Sequence, residues 1–324
     1  LLPSDSDVRS HLTDNIPLNI PVVSAAMDTV SESELGMALA REGGIAVIHR
    51  ACSIAEQAAM VAKVKRSENA VIQHPLTVSR KHTVEQVREI MEVEGFSGFP
   101  VVDEAGKLQG MVTGRDLRHV PSGDALVEDV MTPFEKLITA APETDQQQAR
   151  EILYANRIEK LPLINSDGTL AGLITGADIE KRITFTNAAK DPNGQLRCGA
   201  AVGPGPEFYD RAQALIESGA DALFIDAATG HTTRVMEVVA KLRELSGVPV
   251  VAGNVVTAQG AIALIDAGAN CLKVGVGPGS ICTTRVISGV GMPQFTAVKT
   301  VADAAHERGV RVIADGGIRY SGDI

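Results

Sequence analysis

Three phrases in the second half of the chain share one construction: SGADALF (218–224), AGANCLKV (267–274) and RGVRVIA (308–314). Each ends an amphipathic stretch with a glycine and follows it at once with a short apolar run. Glycine accepts the left-handed backbone that stops a helix, and apolar runs this short read as buried strands. Helix, glycine stop, strand is the repeating unit of a parallel sheet, because each parallel strand needs a crossover to bring the chain back.

The same alternation starts at residue 21, where PVVSAA, SELGMALAREGG, IAVIH and IAEQAAMVAKVKR read strand, helix, strand, helix. It breaks near residue 70 and resumes at RCGAAVG (197–203), running on through ALFIDA, VPVVAGNV, CLKVGVG and VRVIADGG with helical stretches between. Seven strand candidates result. Open sheets and barrels share this periodicity; the polar and glycine-rich residues after the strands favour a (β/α)8 TIM barrel. On that reading an eighth unit is expected beyond YSGDI, where a helix should begin.

The interruption is a duplication. HTVEQVREIMEVEGFSGFPVVDEAGKLQGMVTGRDL (82–117) aligns with ETDQQQAREILYANRIEKLPLINSDGTLAGLITGADI (143–179), so that Gly110, Thr113 and Asp116 recur as Gly172, Thr175 and Asp178. Each half reads helix, strand, turn, strand, helix start, with DEAG or NSDG as the turn. The pair resembles a tandem CBS (Bateman) module of α+β class inserted into the barrel. This gives a catalytic domain of residues 1–69 and 187–324 and an inserted domain of 70–186, its halves about 70–127 and 128–186. The resemblance implies an adenosine or guanosine nucleotide such as ATP or GTP in the cleft, met by Thr113, Asp116, Thr175 and Asp178. The alternative is that both T-x-x-D pairs simply cap their helices.

Composition narrows the partners. Forty acidic against thirty basic side chains give a net charge of −10, which repels nucleic acid and anionic membrane surfaces. The 44% of apolar residues suffice for a large core. Cys52, Cys198, Cys271 and Cys282 are widely spaced, with no CxxC pair, so a zinc site or disulfide scaffold is not expected. No apolar run nears the ~20 residues of a membrane helix, and LLPSDSDVRS lacks the features of a secretory signal. A reducing cytoplasm is the expected compartment.

GVGPGSICTTR (275–285) follows the strand candidate CLKV, so it lies on the face where barrel enzymes place their chemistry. Its glycines let peptide groups approach a ligand, Ser280 offers a hydroxyl to a phosphate, and leftover carbonyls suit a monovalent cation. Cys282 is then a thiol among backbone dipoles, in reach of a substrate.

The whole chain resembles the IMP dehydrogenase family through VVSAAMDTVSE (22–32), GGIAVIHR (43–50), the CBS pair, DAATGH (226–231), VVAGNVVT (250–257), the cysteine loop, GVGMPQFTAV (289–298) and IADGGIRYSGDI (313–324). The resemblance implies that the Cys282 thiolate adds to C2 of IMP, that hydride passes to NAD, and that water hydrolyses the resulting thioimidate to XMP, with Thr284 near that water. It assigns Ser280, Gly316 and Gly317 to the phosphate, Asp315 to the ribose diol and Met27 to the base. For Asp315 the alternative is a turn-forming Asp-Gly, and for Met27 ordinary core packing.

Toward NAD it assigns Asp226, Asn254 and Gly275; there is no G-x-G-x-x-G opening a helix, so Rossmann-type binding is not expected. DAATGH departs from the family at Ala227 and Thr229, on the adenosine side of NAD. Potassium falls to carbonyls of Gly277, Gly279 and Cys282, with further ligands, and the flap arginine and tyrosine that activate the water, expected outside this chain. The family implies a homotetramer, with an octamer as the alternative assembly. Two competing readings remain: a GMP reductase, which shares the cysteine loop but uses NADPH and GMP, and a nucleotide sensor with an inactive barrel.

Overall fold

The glycine stops fall where their spacing predicts. Gly219 (φ +91°) and Gly268 (φ +106°) take the left-handed conformation and release the chain into buried strands three residues on. The computed structural model describes residues 2, 5–67, 72, 75–118, 120–177 and 184–324. These form two units, Leu1–Ser67 with Phe185–Ile324, and Glu68–Thr184.

The first unit opens with a hairpin of β1 (Ser10–Thr13) and β2 (Ile16–Leu18), followed by α1 (Ser33–Glu42), β3 (Ala46–Ile48) and α2 (Ile54–Arg66). A capping box starts α2: the Glu56 N–H donates to Ser53 Oγ while the Glu56 carboxylate accepts from the Ser53 N–H. The run PVVSAA, expected as a full strand, forms only a single parallel bridge, Val23 to Ile45. The next rung is taken by a side chain, because the Val47 N–H donates to Ser24 Oγ (2.9 Å) in place of a main-chain carbonyl.

The second unit holds the two related halves. The first consists of α3 (Val84–Glu94), β4 (Gly98–Val102), β5 (Leu108–Thr113) and the short α4 (Gly114–Leu117), with α5 (Val127–Val130) and β6 (Thr132–Pro133) after it. The second has α6 (Gln146–Asn156), β7 (Lys160–Ile164) and β8 (Leu170–Thr175). The antiparallel registers correspond, Gly98 opposite Thr113 in one and Lys160 opposite Thr175 in the other. The two turns grip each other reciprocally: the Leu108 N–H donates to Gly168 O (3.1 Å) and the Leu170 N–H to Gly106 O (3.0 Å). Each half keeps its own core, Val84, Val87, Phe99, Val101 and Val112 in one and Ala149, Leu153, Leu161, Leu163 and Ile174 in the other.

Back in the first unit come β9 (Cys198–Val202), α7 (Phe208–Glu217), β10 (Ala222–Ile225), α8 (Thr233–Leu245), β11 (Val250–Val255), α9 (Ala258–Asp266), β12 (Cys271–Val274), α10 (Thr284–Ser288), α11 (Gln294–His306) and β13 (Arg311–Ala314). Six strands of this unit pair in parallel in the order β3, β9, β10, β11, β12, β13, which is chain order without a reversal. A doubly wound sheet reverses its order at a switch point, whereas this sheet curls one way, as half a barrel clad in helices. The helices hold it by their apolar faces: Val235, Val238, Val239 and Leu242 of α8 are buried at helical spacing, each contributing roughly 1.5–3 kcal/mol.

Strand alternation sorts the side chains onto two faces. Cys198, Ala200, Val202, Leu223, Ile225, Val250, Ala252, Leu272 and Val274 face the helices. Ala201, Ala222, Phe224, Val251 and Cys271 face the other way and pack with Leu12, Ile16 and Leu18 of the hairpin. The hairpin therefore floors the amino ends of the strands, and Arg311 Nη2 lies 3.7 Å from Asp14 Oδ1 there. Access is left at the carboxyl ends. Continuing the same two-residue period to that rim brings His49, Asp226, Lys273 and Asp315 to the inner face.

Candidate active site

Burial separates the four thiols. Cys198 and Cys271 are enclosed in the sheet, which pushes both up to about 12, because a thiolate has no solvation there. Burial also raises Cys52. Cys282 alone is exposed, and its pKa is lowered: the Thr284 hydroxyl 3.3 Å from Sγ acts most, then the Thr284 N–H, with Arg285 helping and Asp315 opposing. It is the thiol most readily converted to a nucleophile.

The loop that carries it leaves β12 at Gly275, whose N–H donates to Val255 O (3.1 Å), and folds back where the Cys282 N–H donates to Gly279 O (3.1 Å). The loop after β13 lies against it. A Cβ at Gly316 would sit 3.4 Å from Gly279 N, and one at Gly317 would sit 3.1 Å from Pro278 Cβ. Both have positive φ, +76° and +79°, so larger residues are excluded by backbone conformation as well as by the approach. Gly277, Gly279, Ser280, Cys282, Thr284, Gly316 and Gly317 are thereby gathered on one part of the rim.

Beneath them is a polar lattice. Asn254 Nδ2 donates to Gly275 O (2.7 Å) and to Asp315 Oδ2 (2.7 Å), and Lys273 Nζ donates to the same Asp315 oxygen and to Asn254 Oδ1 (3.4 Å). Gln294 Nε2 donates to Val274 O (2.9 Å) and Asp315 O (3.3 Å). Asn254 is thus spent within the protein, tying β11 to the ends of β12 and β13, while Asp315 is held with Oδ2 occupied. Asp226, at the end of β10, accepts from Arg50 Nε (2.9 Å).

Met27 sits on the loop between the Val23 bridge and α1, on the same rim and 42% exposed, so it is not a core residue. Its neighbours Asp28 and Glu32 approach His49. Asp28, Glu32 and His49 are the one set of His, Cys, Asp and Glu among the described residues with ligating atoms within 4.8 Å of each other. His49 Nδ1 accepts from the Ala51 N–H (3.1 Å), which assigns the ring hydrogen to Nε2. That buried, unpartnered nitrogen faces Asp28 Oδ1 (3.7 Å) and Glu32 Oε1 (3.5 Å) as a donor. A metal needs a lone pair from it, so the set suits a water or hydroxyl oxygen instead.

Sequence reasoning missed Lys273, Arg50, Gln294 and His49. Lys273 had a signal: a charged residue inside an apolar strand, at an inward position. In the second unit, Asp116 Oδ2 accepts from both the N–H and the hydroxyl of Thr113 (2.7 Å each), so this pair does cap α4. Thr175 ends β8, and Asp178 lies outside the described residues.

No helix among the described residues is long and apolar enough to cross a membrane. The IMP dehydrogenase / GMP reductase domain family matches residues 1–324. Inosine-5'-monophosphate dehydrogenase of Aquifex aeolicus (strain VF5) is 52% identical over all of this chain, and that of Streptococcus pyogenes serotype M1 is 50% identical. The chain spans 66% of the length of each. Among solved structures, GMP reductase from Trypanosoma brucei in complex with guanosine 5'-triphosphate superposes with a TM-score of 0.93 at 38% identity, over 99% of this chain and 78% of that one. With a family match along its whole length and sequence and fold relatives of both kinds, the chain belongs to the IMP dehydrogenase / GMP reductase family.

Proposed function

We propose that the protein oxidises IMP to XMP with NAD, through a covalent bond from Cys282 to the purine. One observation carries the reading: of four thiols, the single exposed one with a lowered pKa lies on a glycine-rich loop at the rim of the half-barrel. The half-barrel is then part of a closed (β/α)8 barrel.

A purine C2–H is a poor hydride donor while C2 is trigonal. Addition of the Cys282 thiolate makes C2 tetrahedral, and the hydride can then depart with its electron pair, leaving a thioimidate. Water adds to C2, and the thiolate is expelled as XMP forms. Thr284, beside Sγ, holds the thiolate by hydrogen bonding and orients the water. Ser280 and the backbone of Gly316 and Gly317 take the phosphate; the tight glycine contact supports this by keeping peptide groups free of side chains. Asp315, anchored through Oδ2 by Asn254 and Lys273, offers Oδ1 to a ribose hydroxyl. Met27, half-exposed on the rim, packs on the base.

Bound NAD supplies the hydride acceptor. The Asp226 carboxylate, 42% exposed and steadied by Arg50, fits a ribose diol, and Gly275 offers backbone to a carboxamide, with Asn254 fixing it. Carbonyls of Gly277, Gly279 and Cys282 fit part of a potassium shell; Gly279 O keeps a lone pair beyond the one used by the Cys282 N–H. The duplicated unit is a tandem CBS domain binding ATP or GTP, although Asp116 must release its cap on α4 to reach a ribose. Four free cysteines suit the cytoplasm, and the assembly is a tetramer or octamer.

The GMP reductase fold match supports a second reading, reduction of GMP with NADPH. The two are separated by steady-state assay. The first predicts NADH formation that requires IMP; NADPH consumption that requires GMP, with no response to IMP, overturns it.

A further inference from the structure

Arg285 spans the loop that presents Cys282. Its Nε donates to Val276 O (2.9 Å), where the loop leaves the strand, and its Nη2 donates to Met292 O, where the loop gives way to α11. The stem between passes close to two glycines. A Cβ at Gly277 would stand 2.9 Å from Arg285 Cγ, and one at Gly291 would stand 2.7 Å from both Cγ and Nε. Arg285 is only partly exposed, although the two residues that follow it, Val286 at 86% and Ile287 at 80%, are largely open. Two glycines thus make room for one arginine, and that arginine closes a loop of some fifteen residues at both ends.

We propose that Arg285 is the positioning residue of the cysteine loop: by holding the Val276 and Met292 carbonyls across the Gly277–Gly291 slot, its planar guanidinium fixes the turn from which Cys282 meets its substrate. It touches no reacting atom. The role belongs to the shape of the guanidinium, because two N–H groups in a fixed fork reach two carbonyls at once, and a lysine ammonium on a flexible stem does not. This deepens the proposed reaction and rests on it for the substrate, whereas the geometry concerns the loop alone.

The test uses the full-length protein at a fixed potassium concentration. Labelling of Cys282 by iodoacetamide is timed at neutral pH without substrate and located by peptide mass, for wild type, Arg285→Ala, Arg285→Lys and Gly291→Ala. Gly291 has no positive φ, and the nearest atoms to a Cβ there all belong to the Arg285 stem, so alanine at 291 presses on the arginine and covers the case of an Arg285 variant that does not fold. Labelling is expected to slow about tenfold in all three variants, with lysine no better than alanine, since small misplacements of a reacting group cost this much or more. Added guanidinium chloride at non-denaturing concentration should restore Arg285→Ala, whose slot is empty, and leave Gly291→Ala unchanged. With IMP and NAD the loss should fall on kcat rather than KM. Unchanged or faster labelling in Arg285→Ala, or full retention in Arg285→Lys, overturns the proposal. Because labelling needs no substrate, its outcome is independent of whether IMP is turned over.

Discussion

At the scale of single residues, the chemistry of Cys282 follows from exposure and one hydroxyl. Its lowered pKa means that thiolate is present from lower pH than in an ordinary cysteine. The iodoacetamide labelling rate should therefore rise with pH and level off earlier than for a free thiol, with Cys282 labelled first. Cys198 and Cys271, buried and pushed up to about 12, should stay unlabelled until the protein unfolds. Labelling of either before Cys282 contradicts the assignment. The cysteine loop was legible in the sequence because glycines after a strand mark a rim. Arg50, Gln294 and His49 were not, since their partners lie far away in the chain: Arg50 meets Asp226, and Gln294 meets the ends of β12 and β13. Asp116 shows the converse, a local motif whose short-range cap is formed.

At the scale of elements, helices and strands were readable wherever the glycine stop and the apolar period agree, as at β10, β12 and β13. PVVSAA failed because period alone says nothing of hydrogen-bond partners, and Ser24 puts its hydroxyl where a strand would put a carbonyl. The inner face shows how tightly residue size is matched between strands. A Cβ at Gly199 of β9 would stand 2.6 Å from the Phe224 ring of β10, with main chain close on its other side. Gly199→Ala should overpack this layer and destabilise the protein by about 1–3 kcal/mol, read from urea unfolding. A change within error would mean that Phe224 has room to move.

At the scale of the whole molecule, the duplication was legible because it repeats, and the alternation of strand and helix because each unit repeats; that the parallel strands pair in chain order as half a barrel is seen only in the structure. What holds the first unit together around the interruption was not legible. Lys65, in the last turn of α2, donates to Asp191 (3.0 Å) and Asp221 (2.8 Å), and Asp221 also accepts from the Cys198 N–H (2.8 Å) and faces Arg197. These buried charges join the point where the chain leaves the first unit to the segment by which it returns. Asp221→Ala leaves Lys65 and Arg197 short of a partner in an enclosed site and should cost about 3–5 kcal/mol in urea unfolding; a loss below 1 kcal/mol would show the charges to be solvated. Enzyme mixed with IMP and NAD is quenched in acid, digested and weighed peptide by peptide; a purine ribotide adduct should appear on the peptide bearing Cys282 and vanish, with all activity, in Cys282→Ala. XMP accumulating while that peptide keeps its unmodified mass at every time point would contradict the account.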